Sequence, residues 1–457
     1  RHLDKLCERV DTFSVSGDGE RLVVRHRDDV VVVPASHKVE EDDPAYIRVD
    51  LTRLRRTVDP RAEWRQMYDE NGRIMATHYW REDMNGVDWD GVLKRYRPLV
   101  DLCHVVDDLH DILWETVAEL NTSHSYVSTP GAGGDSDMRA GLLGADVSSE
   151  AGGAKVVRVI PGESSDPHAW SPLRAAGVAI GDGDVIIAVD GRKIGVDGGL
   201  GELLEGSAGR VVELTVRRGE EERRVAVVPM ADEAALRYHD WVASRRRYVE
   251  ERSDGRLGYL HVPDMVSDGW AELHRQIGEA TRHEGVIADV RFNHGGHTSQ
   301  LVVERLARKV IGWDRSRWYA TAVTYPQNAV RGPIVMVTNQ WAGSDGDIVG
   351  AVTQAMGYAK VIGERSWGGV VGIDGRFDLV DGTGVTQPRY AGWYGDYGWG
   401  VENHGVDPDI VVTVSPEDWE SASDVQLDAA IAECLRQLDE KSAATPPELP
   451  GPAFGRC

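Results

Sequence analysis

The stretch Ile334-Val-Met-Val-Thr338-Asn-Gln-Trp-Ala-Gly-Ser344-Asp-Gly346 decides the fold. Its apolar, β-branched beginning predicts a buried strand, and the residues from about Asp345 onward have the periodicity of a helix. A strand that turns directly into a helix is the building unit of an α/β core. A serine at such a turn has its hydroxyl held out of the sheet, beside the unpaired backbone N–H groups of the helix start. Ser344 is therefore a candidate nucleophile.

Two interpretations of Ser344 remain open at this point. Ala342 and Gly346 are small and fit a tight nucleophile turn, although the strict G-x-S-x-G pattern is absent. A serine that precedes a helix is also typical of an ordinary N-cap. The local sequence does not choose between a nucleophile and a cap.

The alternation of buried strand and helix continues on both sides of this stretch. We therefore expect an α/β sandwich as the catalytic core over residues 233–440. Its predicted strands are Leu257–Val262, Val286–Phe292, Ile334–Thr338, Val361–Gly363 and Ile410–Val414, and its predicted helices lie near Ser267–Arg282, Ser299–Ile311, Asp345–Gly357 and Val425–Leu438. The tail over residues 441–457 is rich in Pro and Ala and is predicted to be disordered.

Residues 140–232 predict a small β domain before the core. Strands are expected at Ala154–Ile160, Val185–Val189, Val211–Val216 and Arg224–Val228. Ser171-Pro-Leu173, Gly177, Gly181-Asp-Gly-Asp184 and the run Ile187–Gly191 together resemble the pattern of a PDZ domain. A PDZ domain captures an extended peptide end by adding it to a sheet edge. A purely structural insert is the alternative, and the residues leave both open.

Two further segments are expected at the N-terminal side. Short strands with Gly/Asp turns over residues 1–38 resemble the last blade of a β-propeller, so that the chain, which begins at Arg1, is expected to lack an upstream region. Residues 39–139 predict a mainly helical domain, in which apolar residues from Leu102 to Leu120 indicate one helix ending near Asn121. Gly131–Gly134 is interpreted as a linker. The predicted fold class is thus α+β and multidomain.

The composition argues against two classes of partner. The chain has 51 basic and 75 acidic residues, a net charge of −24, and no Lys/Arg block, so neither nucleic acid nor an anionic membrane surface is expected to bind. No apolar run approaches the ~18 residues of a membrane-spanning helix. The four cysteines are far apart, which favours reduced thiols in the cytoplasm over disulfides or a thiolate metal site.

A serine nucleophile needs a base, and His124 is a candidate just beyond the predicted helix. Histidine is the usual base because its unperturbed pKa of ~6.5 lets it accept and return a proton near neutral pH. Glu402, just before a predicted strand, could orient the imidazole and stabilise its charge. A structural histidine and an ordinary surface carboxylate are the alternatives for these two residues.

Six motifs occur together and in order in this chain. They are Asn121-Thr-Ser-His-Ser-Tyr126, Gly141-Leu-Leu-Gly-Ala-Asp146, Ser171-Pro-Leu173, Asp289-Val-Arg-Phe-Asn293 with Gly295-Gly296, Ala342-Gly-Ser-Asp-Gly-Asp347, and Glu402-Asn-His-Gly-Val-Asp-Pro-Asp409. With them, nearly the whole chain resembles the catalytic half of the tricorn protease family. The resemblance implies a serine endopeptidase that cuts short peptides through an acyl-enzyme, without a metal or another cofactor.

The resemblance also assigns roles to residues. It implies a Ser-His-Ser-Glu tetrad, with Ser344 as nucleophile, His124 as base, and Ser123 and Glu402 as supporting hydrogen-bond partners. The oxyanion hole would come from the amides of Asp345 and Gly296. Asp314 would be the acidic residue of the S1 pocket and favour a basic side chain on the scissile residue. The family further implies a cytoplasmic homohexamer that receives proteasome products and passes its own products to aminopeptidases.

Three other classes of protein compete with this prediction. Carboxy-terminal processing peptidases share the fold and an inserted PDZ domain, but their Ser-Lys dyad needs a lysine near Gly369, where the sequence has none. A catalytically silent peptide-binding scaffold would use the same domains. A zinc protein would use His294-Gly-Gly-His297, although these glycines offer no helix that places both imidazoles on one face. The two histidines also flank the Gly-Gly turn, where they could crowd it.

Overall fold

The computed structural model describes residues 5–130, 138–421 and 423–448. The chain divides into two compact units, Arg1–Gln66 and Met67–Cys457. The predicted linker Gly131–Gly134 lies outside the described residues. Within the described ranges, no helix is long and apolar enough to cross a membrane.

The first unit contains a four-stranded antiparallel sheet in which neighbours in sequence pair. Its strands are β1 (Thr12–Val15), β2 (Arg21–His26), β3 (Asp29–Pro34) and β4 (Ile47–Val49). A four-stranded antiparallel meander is the make-up of one propeller blade. The sheet extends beyond the predicted boundary at Lys38, because the chain returns after an acidic loop to pair Ile47 with Val32.

Three helices and a short strand follow. They are α1 (Pro60–His78), α2 (Trp89–Val100), α3 (Val106–Ala118) and β5 (Val127–Ser128). The prediction that Leu102 belongs to the same helix as Leu120 is wrong, since Leu102 lies between α2 and α3 and is 68% exposed. The Asp108 carboxylate accepts the backbone N–H groups of His104 and Val105 and so begins a new helix at that point.

The PDZ-like domain is an antiparallel sheet with one short helix. Its elements are β6 (Ala145–Glu150), β7 (Gly153–Val159), β8 (Val185–Val189), β9 (Arg192–Lys193), α4 (Leu200–Leu203), β10 (Val212–Arg218) and β11 (Glu221–Val227). The sheet order is β11-β10-β8-β7-β6, and β9 pairs with β8. The β8–β9 hairpin turns at Asp190 and Gly191, both at positive φ, which is the turn that an Asp-Gly pair favours. Strand β6 lies at the sheet edge.

The α/β core follows the PDZ-like domain. Its elements are α5 (Ala234–Arg252), β12 (Leu257–His261), α6 (Ser267–Ala280), β13 (Gly285–Asp289), α7 (Ser299–Leu306), β14 (Gly312–Asp314), β15 (Val323–Tyr325), β16 (Ile334–Thr338), α8 (Asp345–Met356), β17 (Ala359–Gly363), β18 (Gly372–Asp374), β19 (Gly384–Val385), β20 (Gln387–Tyr390), β21 (Ile410–Val411), α9 (Pro416–Glu420) and α10 (Val425–Glu440).

The core is built on one parallel sheet with the order β12-β13-β16-β17-β21. Successive side chains of a strand point to opposite faces. Thus Met336 packs on the face covered by α6, α7 and α8, whereas Val335 and Val337 pack on the face covered by α5 and α10. Every residue of β12, β13 and β16 is buried, as expected for a sheet with helices on both faces. The α+β multidomain fold class is confirmed.

Two predictions about the ends of the core differ from the structure. Helix α7 ends at Leu306 rather than near Ile311. The prediction that the tail is disordered is wrong for Ala444. Its backbone N–H donates to the Arg331 carbonyl at 2.8 Å, and the Arg331 guanidinium donates to the Ala444 carbonyl at 3.3 Å. Residues 449–457 of that tail lie outside the described residues.

Candidate active site

Ser344 lies at the turn between β16 and α8 in a conformation that is unusual for a serine. Its φ is +57° and its ψ is −120°, and its hydroxyl makes no capping hydrogen bond to the helix. Ser415, before α9, shows the ordinary alternative: its backbone is extended and its hydroxyl accepts the Asp418 N–H at 3.2 Å. Sterically costly backbone at positive φ is often found at functional sites. The geometry therefore favours the nucleophile interpretation of Ser344 over the cap.

The Gly-Gly turn approaches Ser344 closely because both of its residues lack a side chain. A Cβ on Gly295 would lie 2.5 Å from the Ser344 Cβ, and one on Gly296 would lie 2.1 Å from the Met265 carbonyl oxygen. Both glycines also have positive φ, at +76° and +147°. Only glycine allows this approach.

The two histidines that flank the turn do not push it away. The backbone N–H of His294 donates to the Pro263 carbonyl at 3.0 Å, and that of His297 donates to the Met265 carbonyl at 2.8 Å. Both residues line the same cavity as Ser344. Among the described residues, no group of three or more metal-ligating side chains occurs.

The backbone amides of Gly296 and Asp345 are candidate donors for an oxyanion hole. Neither the N–H of Gly296 nor that of Asp345 donates a hydrogen bond to any residue that the structure describes. Asp345 is the first residue of α8, where the positive end of the helix dipole favours negative charge. The Asp345 carboxylate accepts the Ser299 N–H at 3.0 Å, and burial raises the pKa of this carboxyl.

A hydrogen-bonded chain connects Glu402 to His124 through Ser123. The Ser123 hydroxyl lies 3.0 Å from Glu402 Oε2 and 3.1 Å from His124 Nδ1. A carboxylate can only accept, so the hydroxyl donates to Glu402, and its oxygen accepts from Nδ1–H. Nε2 is then the unprotonated nitrogen of the neutral ring, as a general base requires.

Backbone donors hold the Glu402 carboxylate in place. Oε2 accepts the N–H groups of Val370 and Val371 at 2.7 and 3.0 Å, and Oε1 accepts the Ser123 N–H at 2.6 Å. His124 is only 7% exposed. Burial therefore lowers the pKa of its imidazole, and the negative charge of Glu402 offsets part of that effect.

The segment that carries His124 is attached to the core by a short sheet. Strand β5 pairs with β19, and the Tyr126 N–H donates to the Thr386 hydroxyl at 2.7 Å. The same hydroxyl donates to the His124 carbonyl. The Trp367 ring packs edge-on against the imidazole, with 5.8 Å between the centroids. The histidine thus belongs to the helical part of the chain but is positioned by the core.

One cavity of about 670 Å³ brings the main predicted residues together. Ser344, His124 and Gly296 all line it, and Asp345 follows Ser344 directly. Ser123 and Glu402 lie behind His124 in the hydrogen-bonded chain. No lysine is among the residues that line this cavity, so the structure offers no partner for a Ser-Lys dyad there.

Asp314 is a predicted site residue that neither lines this cavity nor belongs to the hydrogen-bonded chain behind it. It lies on the β14–β15 hairpin and lines a different cavity, with Trp313, Trp318 and Tyr319. Within one chain, the prediction that Asp314 forms the S1 pocket beside Ser344 is therefore not supported. The hairpin places Asp314 near the C-terminal end of α6, where Thr281 lines the same cavity.

Asp347 was missed as a site residue, although it stands inside the quoted Ser344 motif. It is completely buried and accepts the N–H groups of Gly368 and Gly369 at 2.8 and 3.4 Å. Burial raises the pKa of its carboxyl to about 6. Asp347 thereby connects the start of α8 to the segment 368–371. The last two amides of this segment, those of Val370 and Val371, donate to Glu402. An acidic residue in the first helical turn was the available signal.

Comparison with known families agrees with this architecture. The model of peptidase family S41 matches residues 256–412, the tricorn protease PDZ domain matches residues 141–232, and the tricorn protease C1 domain matches residues 60–118. Tricorn protease homolog 1 of Streptomyces coelicolor is 56% identical over 98% of this chain and 42% of its own length. The tricorn protease of Thermoplasma acidophilum is 36% identical over 96% of this chain and 40% of its own length.

A solved structure gives the same result. The crystal structure of the tricorn protease superposes with a TM-score of 0.87 at 35% identity, over 94% of this chain and 42% of that chain. The chain thus spans about two fifths of the length of the curated relatives it matches. By these similarities and by the architecture described above, the chain belongs to the tricorn-type serine peptidases of family S41.

Proposed function

We propose that this chain hydrolyses peptides with a Ser-His-Ser-Glu tetrad made of Ser344, His124, Ser123 and Glu402. The observation that carries the proposal is the chain of hydrogen bonds from Glu402 through Ser123 to His124, beside the cavity into which Ser344 opens. In this arrangement Nε2 of His124 is the ring nitrogen that can accept the proton of a nucleophile.

In the proposed first half-reaction, His124 Nε2 accepts the proton of the Ser344 hydroxyl as its oxygen attacks the scissile carbonyl. The carbonyl π electrons move to the oxygen, and the amides of Gly296 and Asp345 donate to the oxyanion. Each well-placed donor of this kind contributes roughly 3–4 kcal/mol to transition-state stabilisation. The intermediate then collapses, the C–N bond breaks, and His124 protonates the leaving amine.

The second half-reaction repeats these roles with water. His124 accepts a proton from a water molecule, whose oxygen attacks the acyl-enzyme ester. The tetrahedral intermediate collapses, and the proton returns to the Ser344 oxygen. During both halves the imidazolium is stabilised by the Ser123 oxygen and, beyond it, by the Glu402 carboxylate.

Labelling with a fluorophosphonate probe tests the proposal directly. We expect the probe to modify Ser344, as read by peptide mass spectrometry, and Ser344→Ala and His124→Ala each to abolish turnover of short peptide reporters. Ser415→Ala is the matched control, because Ser415 precedes a helix but caps it. A folded protein that is unlabelled and inactive would instead be a peptide-binding scaffold, and activity in Ser344→Ala would refute the assignment.

The setting of the reaction is proposed from the family resemblance. We propose a cytoplasmic homohexamer that takes proteasome-derived peptides and passes its products to aminopeptidases. Native mass spectrometry of the full-length protein tests the hexamer. Digestion of proteasome-generated peptide mixtures, with and without an added aminopeptidase, tests the place in the sequence of reactions.

A further inference from the structure

The PDZ-like domain contains a groove that lies apart from the Ser344 cavity. The edge strand β6 and the helix α4 flank a cavity of about 730 Å³. Its lining is largely apolar and includes Leu142, Leu143, Val147, Ile194 and Leu204. An edge strand presents unpaired backbone groups, and a PDZ domain uses them to add an extended peptide as a further strand.

The loop ahead of β6, residues 141–144, already uses most of its amides. In the capture of a peptide end, backbone amides of such a loop bind the terminal carboxylate. Here three of the four donate within the chain: Gly141 to the Leu204 carbonyl at 2.9 Å, Leu142 to the Met230 carbonyl at 2.8 Å, and Gly144 to Glu233 Oε2 at 3.1 Å. The last of these acceptors is itself a carboxylate.

Glu233 is held in this position by an ionic network. The Arg237 guanidinium donates to Glu233 at 2.6 Å and to Asp146 at 2.9 Å, and Arg158 joins Asp146 to Asp240. The Glu233 side chain is only 18% exposed. An arriving peptide carboxylate would thus meet two carboxylates, and the nearby arginine would already be shared between them. Like charges this close repel.

We propose that this groove binds an extended internal segment of a polypeptide, with apolar side chains in the cavity, and that Glu233 occupies the place of a terminal carboxylate. The bound segment adds to β6 through its backbone. A free C-terminus is rejected because its carboxylate competes with Glu233 for the Gly144 amide. The proposal goes beyond the hydrolytic site and does not depend on hydrolysis at Ser344.

Fluorescence anisotropy with the whole chain carrying Ser344→Ala tests this proposal without cleavage of the probe. The probe is a labelled pool of short peptides with Val, Leu or Ile at alternate positions, prepared once with a C-terminal carboxamide and once with a free carboxylate. We expect the carboxamide pool to bind at least about tenfold more tightly.

Substitutions at Glu233 separate its charge from its hydrogen bond. Glu233→Gln keeps an acceptor for the Gly144 N–H but removes the charge, so the preference should shrink. Glu233→Ala frees the Gly144 amide and leaves Arg237 paired only with Asp146, so the preference should reverse in favour of the free carboxylate. Glu220→Ala is the control, since Glu220 is exposed beyond the groove in the β10–β11 hairpin and should leave the ratio unchanged.

Three results would overturn the proposal. They are equal or tighter binding of the free carboxylate when Glu233 is intact, binding of neither pool, and carboxamide binding that survives Val147→Arg, which fills the groove. The last result would place the peptide elsewhere, for example in the Ser344 cavity. Because fluorophosphonate labelling is measured on the protein with Ser344 intact, failure here is distinguishable from failure of the hydrolytic assignment.

Discussion

At the scale of single residues, the position of Ser123 favours one tautomer of His124, the one that leaves Nε2 unprotonated for the proposed base. Its hydroxyl stands between a carboxylate that can only accept and an imidazole nitrogen that must then donate. Without this hydroxyl, the tautomer with the proton on Nδ1 loses its partner. Ser123 is therefore proposed as a positioning residue, because it acts through His124 and does not touch the reacting atoms.

Replacing Ser123 by Ala should lower kcat by about tenfold to a hundredfold, because a hydrogen bond to a charged group contributes roughly 1.5–3 kcal/mol. KM should change little, since Ser123 does not line the substrate cavity. Steady-state kinetics on a short peptide reporter measures both constants. Ser123→Thr keeps the hydroxyl and should recover most of the activity; an equal loss in both variants would contradict the relay.

The charge of Glu402 should be visible in the pH dependence of activity. The base must be neutral, burial lowers the pKa of the His124 imidazole, and the Glu402 charge raises it. The acidic limb of kcat/KM should therefore lie below the ordinary histidine pKa of about 6.5. Glu402→Gln should move that limb to still lower pH while reducing kcat. A limb that moves to higher pH would contradict this electrostatic role.

At the scale of secondary-structure elements, the candidate site depends on the contact between helix α8 and the segment that follows β17. The Asp347 carboxylate, at the start of α8, accepts two backbone amides of the segment after β17. The next two amides of that segment, those of Val370 and Val371, donate to Glu402. Trp367, in the same segment, packs on the His124 ring. A buried carboxylate at the start of α8 thus holds the segment that also packs on the His124 ring.

Asp347 should make the stability of the core depend on pH. Its folded-state pKa is about 6, above the ordinary value of 3.8, so the protonated form is favoured in the folded state. Its contribution is fully present below pH 3.8 and is lost as the pH rises through about 6. The loss is at most about 3 kcal/mol, the equivalent of about two pKa units.

Asp347→Asn isolates this contribution, since all other groups titrate equally in both proteins. Relative to that variant, the wild-type protein should lose stability between pH 4.5 and pH 7, as measured by urea midpoints. A constant difference between the two proteins across this range would contradict the raised pKa. The Asn side chain retains an acceptor for the Gly368 N–H, so the contact between α8 and the segment after β17 should persist.

At the scale of the whole molecule, the net charge of −24 should bias which peptides arrive fastest. A negative field attracts cationic peptides over a distance of about 10 Å at 0.1 M salt. The value of kcat/KM for a basic reporter should therefore fall as NaCl rises, whereas that for a neutral reporter of the same length should not. The same slope for both reporters would exclude steering by charge.

The sequence by itself determined the fold class and the family resemblance of this chain. Strand, turn and helix around Ser344 were predictable because buried strands and helices differ in periodicity. The Asp-Gly turn of the PDZ-like domain was predictable because few residues accept positive φ. The motifs that resemble the tricorn family added Ser123, Gly296 and Asp345, for which local pattern has no signal.

Only the tertiary structure decided what these residues do together. The capping alternative for Ser344 lost support through a backbone angle and a missing hydrogen bond, and neither can be read from residue types. His124 and Glu402 meet through contacts between residues more than 270 positions apart. Asp314 lines another cavity, and the Glu233 carboxylate accepts the N–H of Gly144 in the loop ahead of β6. Such placements depend on the packing of whole elements, whereas a sequence pattern records only the neighbours of each residue along the chain.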